Sequence, residues 1–302
     1  MNILVTGGSS MVGKHLQKIL PSAVYLNSKD CDLINYEDTF SMFKKAKPNL
    51  VIHLAAKVGG IMDNINKPAD FFDQNIIINT NTIKAAYQTG VPKLISILST
   101  CIYPDKLKNN QYPLKENLLH VGPPAITNFA YGYAKRCMAV QIEAYNKQFG
   151  TKYSSLIPSN LYSEYDHFEG DKAHFVSSLL NKINLAKTNK LDHIQLFGTG
   201  KPLRQFMYAG DLAKSIVRLI DYNEPFTYNI CPDENLSIKK IASTALKSCN
   251  ASNLKIKWDT SKPDGQFRKD ASSDEFLNKY SDFKFTPLLQ GLKITYENKF
   301  SK

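Results

Sequence analysis

The 302-residue chain reads as an α/β protein built on a doubly wound parallel sheet, with a smaller C-terminal α/β domain. Three observations predict this. Short apolar runs alternate with helix-length amphipathic segments over the first 160 residues. One run, Leu50-Val51-Ile52-His53-Leu54, is apolar at almost every position, as a strand covered on both faces must be. A glycine-rich turn separates the first apolar run from the first amphipathic segment.

Taken in order, Ile3-Leu4-Val5 is a short buried strand. The helix after it starts near Ser10 and carries Val12, Leu16 and Leu20 at helical spacing. Residues 23–26 form a second strand, 36–45 a helix and 50–54 the third strand. A long helix over 71–88 leads to a strand over 93–98, a helix over 129–149 and a strand over 154–157. This order predicts a dinucleotide-binding domain over residues 1–160. Beyond Asn160 the pattern loosens. Helices over 174–185, 211–221 and 237–248 alternate with strand pieces at 194–196 and 254–257. Residues 161–302 therefore read mainly as a substrate-binding domain. With no Pro/Gly linker marking a boundary, that domain is expected to be interleaved with the first.

Composition narrows the function classes. Hydrophobic residues make up 43% and charged residues 22%, an ordinary globular balance. No apolar run reaches the ~18–20 residues that span a bilayer. No basic leader with a cleavage site precedes the first strand, so a cytoplasmic protein with no membrane partner is expected. The 5 cysteines show no CxxC spacing and the 6 histidines no HExxH, so no metal site is expected. The net charge of +11 raises the question of nucleic acid, but the lysines are dispersed and form no dense basic run. Such a field also attracts a small phosphorylated ligand.

Thr6-Gly7-Gly8-Ser9-Ser10-Met11-Val12-Gly13 joins the first strand to the first helix. Gly7 permits the tight turn and Gly13 lets the helix approach the sheet. The unpartnered amides at the helix start suit a pyrophosphate. This is the Rossmann-type arrangement, with Ser10 at the middle position of a GxxGxxG spacing. After the second strand, where an NAD site usually carries an acid, the chain has Asn27-Ser28-Lys29. Lys29 favours the 2′-phosphate of NADP, and Asp32-Leu33 is placed to hold the adenine.

Tyr131 and Lys135 are four residues apart and share a helix face. An ammonium beside a phenol lowers the phenol's pKa, and such a tyrosine can hand a proton to a carbonyl oxygen as hydride arrives. Tyr133 has Cys137 at its fourth residue and lacks the lysine. Ser99 follows the apolar strand 93–98, at the carboxyl end where doubly wound folds place ligands. Taken alone, Cys101 reads more readily as a buried small hydrophobe, and His174 as a hydrogen-bonded surface or core histidine, than as catalytic groups.

The segments HLAAKVGGI (53–61), STCIYPDK (99–106), NFAYGYAKR (128–136), IPSNLY (157–162), GTGKPLRQFMY (198–208) and KPDGQFRK (262–269) are similar to those of the extended short-chain dehydrogenase/reductase family. Within it they most resemble the epimerase-reductases of GDP-linked 4-keto-6-deoxy sugars, nearly end to end. The resemblance implies an NADPH-dependent enzyme acting on a GDP-sugar and working as a homodimer through the helices at 71–88 and 129–149. It implies Cys101 as the base that takes protons from sugar carbons 3 and 5, and His174, in Lys172-Ala173-His174-Phe175, as the acid on the opposite face. Ser99, Tyr131 and Lys135 would then reduce the ketone at carbon 4. Beside the glycine-rich turn, Leu54, Ala55, Ala56, Tyr131, Lys135, Pro158, Asn160, Leu161 and His174 would border the cofactor. Ser99, Thr100, Cys101, Asn160, Lys182, Phe197, Arg204 and Lys269 would border the substrate. Arg204 suits bidentate phosphate binding, whereas Lys182 and Phe197 read equally as surface charge and core aromatic.

Three departures stand out. Ser10 replaces a glycine, Tyr162-Ser163-Glu164-Tyr165 replaces a YGPH-like loop, and Ser177 replaces a usual proline. Two other readings of the chain are another nucleotide-sugar 4-reductase or epimerase, and a non-catalytic nucleotide- or RNA-binding module suggested by the charge.

Overall fold

In the computed structural model, strands and helices alternate through the first half of the chain as the apolar pattern requires. The structure describes residues 1–170, 173–262 and 264–300. Lys172 and Pro263, which belong to two of the segments quoted above, lie outside the described residues. The order is β1 (Ile3–Thr6), α1 (Met11–Ile19), β2 (Val24–Leu26), α2 (Tyr36–Ala46), β3 (Leu50–His53), α3 (Ile61–Asn66), α4 (Pro68–Gln88), β4 (Lys93–Ile97), α5 (Phe129–Phe149) and β5 (Lys152–Pro158). There follow β6 (Asn160–Tyr162), α6 (Phe175–Thr188), β7 (His193–Phe197), β8 (Leu203–Arg204), β9 (Phe206–Tyr208), α7 (Ala209–Arg218) and β10 (Thr227–Ile230). The chain ends with β11 (Leu236–Ser237), α8 (Ile238–Ser248), β12 (Lys255–Asp259), α9 (Asp274–Lys279) and α10 (Leu288–Phe300).

A 6-stranded sheet runs in the order β10-β5-β4-β3-β1-β2, every pairing parallel. The strand order reverses between β1 and β3, so the carboxyl ends of these strands flank the crevice that such sheets use for ligands. Side-chain alternation explains the continuous apolar runs. Leu4, Val51 and Leu94 point to a core with Phe43 of α2, Ile83 of α4 and Met138 of α5. Ile3, Val5, Leu50, Ile52 and Ile95 point to the opposite core with Leu16 of α1 and Leu212 and Ile216 of α7. Residues beyond 160 build a third core, from α6, β7, α8 and α10. They also return α7 and β10 to the large sheet.

The helix over 129–149 begins and ends where its periodicity predicts. Three differences have physical reasons. The long helix starts at Pro68 and not at residue 71, because proline at the first turn loses no helix hydrogen bond. Thr227–Ile230 was not anticipated as a strand. It is 4 residues long and polar at Thr227 and Asn229, so register with β5 makes it a strand more than its own pattern does. Finally, α1 starts at Met11 because Ser10 is its N-cap, with extended backbone at φ −67° and ψ 167°. The middle position of the turn therefore needs no glycine here.

Among the described residues, no helix is long and apolar enough to cross a membrane. The Ser10 hydroxyl accepts the Gly13 amide at 3.1 Å. Ser10→Ala is accordingly expected to lower stability by ~1 kcal/mol, and Ser10→Gly by only a few tenths. Urea unfolding of the two variants checks this, and equal effects would rule out the hydroxyl cap.

Candidate active site

The nucleotide turn is shaped by close packing. Gly7 lies at φ +71°, and a Cβ there would sit 2.7 Å from the Ala55 amide nitrogen. The turn is tied down by Gly8 N–H to Leu26 O at 2.7 Å and Ser10 N–H to Gly7 O at 3.0 Å. This presents Ser9, Met11 and Val12 at the start of α1, where first-turn amides lack helix partners. Beneath it, Thr6 Oγ1 meets His53 Nδ1 at 2.8 Å, and His53 Nε2 meets Asn79 Oδ1 at 3.1 Å. Burial, then the nearby Lys135 charge, pulls His53 down to about 3, so this ring is a neutral strut. Leu54 continues the β3 edge through its amide to Thr6 O at 3.2 Å, and Ala55 and Ala56 follow it past Gly7.

At the end of β2 both acids are turned back on their own loop. Asp30 Oδ2 accepts the Asn27 amide at 2.9 Å, and Asp32 Oδ1 accepts the Ile34 amide at 3.0 Å. Leu33 O accepts from Asn81 Nδ2 at 2.9 Å, which anchors this loop to α4. Lys29 is exposed at the loop tip. An amide-lined helix start at the sheet's reversal point, with a lysine and no presented carboxylate after β2, fits a dinucleotide carrying a 2′-phosphate.

The reactive cluster forms where β4 ends. Ser99 Oγ accepts the Cys101 amide at 3.2 Å and caps a short 3₁₀ turn, Thr100–Ile102, in which Thr100 is buried. Helix α5 presses on this turn at Gly132, where a Cβ would lie 2.8 Å from the Cys101 carbonyl oxygen. Arg136 bridges them, donating from Nε to Ile102 O at 3.1 Å and from Nη1 to Gly122 O at 2.9 Å. Lys269 Nζ donates to Cys101 Sγ at 3.0 Å. Burial pushes the Cys101 thiol up, but the Lys269 charge and hydrogen bonds from Lys269, Ser99 and Asn128 outweigh it, and the net direction is down. Arg204 is shifted down by burial, opposed by the charges of Cys101 and Asp264, which places its guanidinium in the same neighbourhood.

Tyr131 and Lys135 occupy one face of α5, but their pairing differs from the expectation. The phenol is pushed up, by burial first and then by the Cys101 charge, and Lys135 does not lower it. The lysine instead donates from Nζ to Ile97 O at 2.8 Å. It is 2% exposed, and burial brings it down to about 7. Tyr131 is therefore a protonated phenol near neutral pH, the form a proton donor needs.

His174 is the N-cap residue of α6, and its Nδ1 lies 3.0 and 3.1 Å from the two carboxylate oxygens of Asp166. The Asp166 hydrogen bond raises the imidazole, against burial that lowers it. Phe175, beside it, stacks on Phe206 at 5.8 Å, two residues from Arg204. Pro158 ends β5 opposite Ile230, Leu161 packs on the second core, and Asn160 Nδ2 donates to Gln205 O at 3.0 Å. Lys182 is turned elsewhere, onto Gln195 O at 2.8 Å and over the exposed Phe197 ring at 5.2 Å. The structure thus gathers Ser99, Cys101, Tyr131, Arg204 and Lys269. It pairs Lys182 with Phe197 apart from the polar contacts of Cys101.

A profile of the NAD dependent epimerase/dehydratase family matches residues 3–231, and the chain belongs to that family. This bears out the resemblance carried by the motifs. The chain is 40% identical to the GDP-L-fucose synthase of Dictyostelium discoideum, over 96% of this chain and 92% of that protein. It is 30% identical to the GDP-L-fucose synthase of Escherichia coli (strain K12), over 98% and 95% respectively. A crystal structure of a GDP-L-fucose synthetase from Naegleria fowleri bound to NADP superposes with a TM-score of 0.89 at 36% identity, covering 99% of this chain and 92% of that one.

Sequence reading missed Asn128, Arg136 and Asp166. Asn128 and Arg136 are the end residues of the NFAYGYAKR segment and were legible as parts of it. Asp166 lies 8 residues before His174 in an irregular loop, a spacing with no regular period to flag it. The Lys269 contact generates a prediction. In Lys269→Met the Cys101 thiol should titrate at higher pH, read as peptide-resolved alkylation rate against pH. An unmoved profile would remove Lys269 from the site.

Proposed function

We propose that the protein converts GDP-4-keto-6-deoxymannose to GDP-L-fucose, inverting carbons 3 and 5 and reducing the carbon 4 ketone with NADPH. The observation carrying this reading is the Cys101 thiol held 3.0 Å from Lys269 Nζ, beside Tyr131 and Lys135. A 4-epimerase or simple reductase has no use for a poised thiol at this point. The similarity to GDP-L-fucose synthases also supports the reading. No observation favours a nucleic-acid module over it.

The chemistry follows from the side chains. The ketone acidifies the protons on its two neighbouring carbons. Cys101 as thiolate takes one such proton, and the C–H electron pair moves onto the ketone oxygen as an enolate. His174 as imidazolium returns a proton to the other face, and the enolate pair forms the new C–H bond. After inversion at both carbons, Ser99 holds the ketone oxygen and Tyr131 donates its phenolic proton there. NADPH, when bound, supplies the hydride for carbon 4. Its pyrophosphate would be held by the Gly7–Gly13 turn, its 2′-phosphate by Lys29 and its ribose by Lys135. Arg204 would meet the diphosphate or sugar oxygens of the substrate, while Lys269 stays on the Cys101 thiol. The two-copy assembly we propose uses α4 and α5, which pack together and expose Phe72, Ile77 and Val140.

Purified protein is expected to form GDP-L-fucose from GDP-4-keto-6-deoxymannose while consuming NADPH, and to do so less efficiently with NADH. No NADPH consumption and no such product would overturn the reading. Lys29→Ala should raise KM for NADPH more than for NADH. Cys101→Ser should block solvent deuterium entry at carbons 3 and 5, whereas Tyr131→Phe should slow reduction by about 10²-fold or more with much less effect on exchange. Equal loss of both steps in Tyr131→Phe would refute this division of labour.

A further inference from the structure

The proton returned in epimerisation must come from a fixed direction, so the orientation of the His174 ring matters as much as its charge. Its Nδ1 edge faces a carboxylate that is 2% exposed, while the His174 side chain is 38% exposed. The ring is thus pinned through Nδ1 while its side chain as a whole stays partly exposed. Asp166 is itself heavily held. The His167 amide donates to Oδ1 at 2.8 Å, and the Ser177 hydroxyl, buried in the first turn of α6, donates to Oδ2. The Asp166 amide donates to Ser163 O at 3.2 Å, which closes the loop back on itself.

The place of His174 in the fold makes a nearby carboxylate necessary. It stands at the N-terminus of the 14-residue α6, where the helix dipole disfavours a cation. A histidine there without a counter-charge tends toward its neutral form, which accepts protons and cannot deliver one. A buried carboxylate on Nδ1 reverses that tendency and also selects the tautomer left after the proton has gone.

We propose that Asp166, steadied by Ser177, is the positioning residue that fixes His174 with Nδ1–H on its carboxylate and Nε2 presented as the proton donor in epimerisation. This rests on the function proposed above. In the cycle, imidazolium loses its Nε2 proton to the enolate carbon, whose electron pair forms the C–H bond. Neutral His174 keeps Nδ1–H on Asp166, and Nε2 is reprotonated from solvent. The Ser177 hydroxyl occupies one of the Asp166 oxygens, so the carboxylate cannot rotate away from the ring.

The test compares wild type, Asp166→Asn, His174→Gln, the double variant and Ser177→Ala with GDP-4-keto-6-deoxymannose and NADPH, in water and in D₂O. Asp166→Asn is expected to lower the yield of inverted product by about 10- to 100-fold, within the range general-acid catalysis supplies. Deuterium exchange dependent on Cys101 should persist, so exchange and inversion separate. Ser177→Ala should fall in between, and Ser177→Thr should restore wild-type inversion. The double variant should be no worse than His174→Gln, since both changes disable one unit. Full inversion in Asp166→Asn, or losses that multiply in the double variant, would overturn the proposal. A wild-type protein that forms no GDP-L-fucose would instead overturn the function reading. Thermal unfolding of each variant separates a folding defect, which lowers exchange and inversion together, from the predicted split.

Discussion

Gly132 has no room for a side chain, because a Cβ there would lie 2.8 Å from the Cys101 carbonyl oxygen. This close approach of α5 to the turn after β4 is the constraint on which the site depends. One surface of α5 delivers Tyr131 and Lys135, and the same helix fixes the loop that carries Ser99 and Cys101. Arg136 completes the joint by bonding Ile102 O and Gly122 O from a buried position. Locking helix to loop fixes the thiol, the phenol and the Ser99 hydroxyl relative to one another, the kind of positioning on which differential transition-state binding relies.

Electrostatics then separates groups that would otherwise titrate together. Burial raises the ordinary thiols Cys231 and Cys249, to about 12 and about 11. Cys101 feels the same burial and still ends below its ordinary value, because Lys269 and two further donors face it. Tyr131 moves up beside it, partly because of the Cys101 charge. A lowered thiol next to a raised phenol keeps one group ready to take a proton and the other ready to give one. Pushing neighbouring pKa values apart is how acid and base roles are assigned within one pocket. It also corrects the simple expectation that a lysine four residues on must lower the tyrosine. Spacing on a helix sets which side chains are neighbours, and burial decides the sign.

Much of the fold was legible because the buried parallel strands advertise themselves. Leu50–His53 is apolar enough to be recognised alone, and the glycine-rich turn marks the only place where β1 can enter α1. Thr227–Ile230 was not legible, because its strand character comes from pairing with β5 and not from its own side chains. In the site, Tyr131 with Lys135 and Ser99 with Cys101 were readable since their spacing along one helix or one turn determines who meets whom. Lys269 was readable only as a member of a segment. Its contact with Cys101 spans 168 residues, and no local pattern encodes that distance. Asp166 was invisible for a related reason: a loop carboxylate carries no period.

The two serines that depart from the usual family pattern illustrate how a substitution can be absorbed at a helix start. Ser10 stands before α1 and accepts the Gly13 amide, so a hydroxyl performs a capping role in a turn where the usual glycine offers only backbone freedom. Ser177 stands in the first turn of α6 and donates to the buried Asp166 carboxylate. A proline there would suit the helix start equally well but has no proton to offer. Asp166 would then rest on the His167 amide and His174 alone. The added hydroxyl gives the carboxylate one more fixed donor, which steadies its position beside the imidazole. A proton donor that must release its proton and regain it each cycle is served by a partner firm in geometry. On this argument Ser177 belongs to the acid on one face of the sugar as Lys269 belongs to the base on the other.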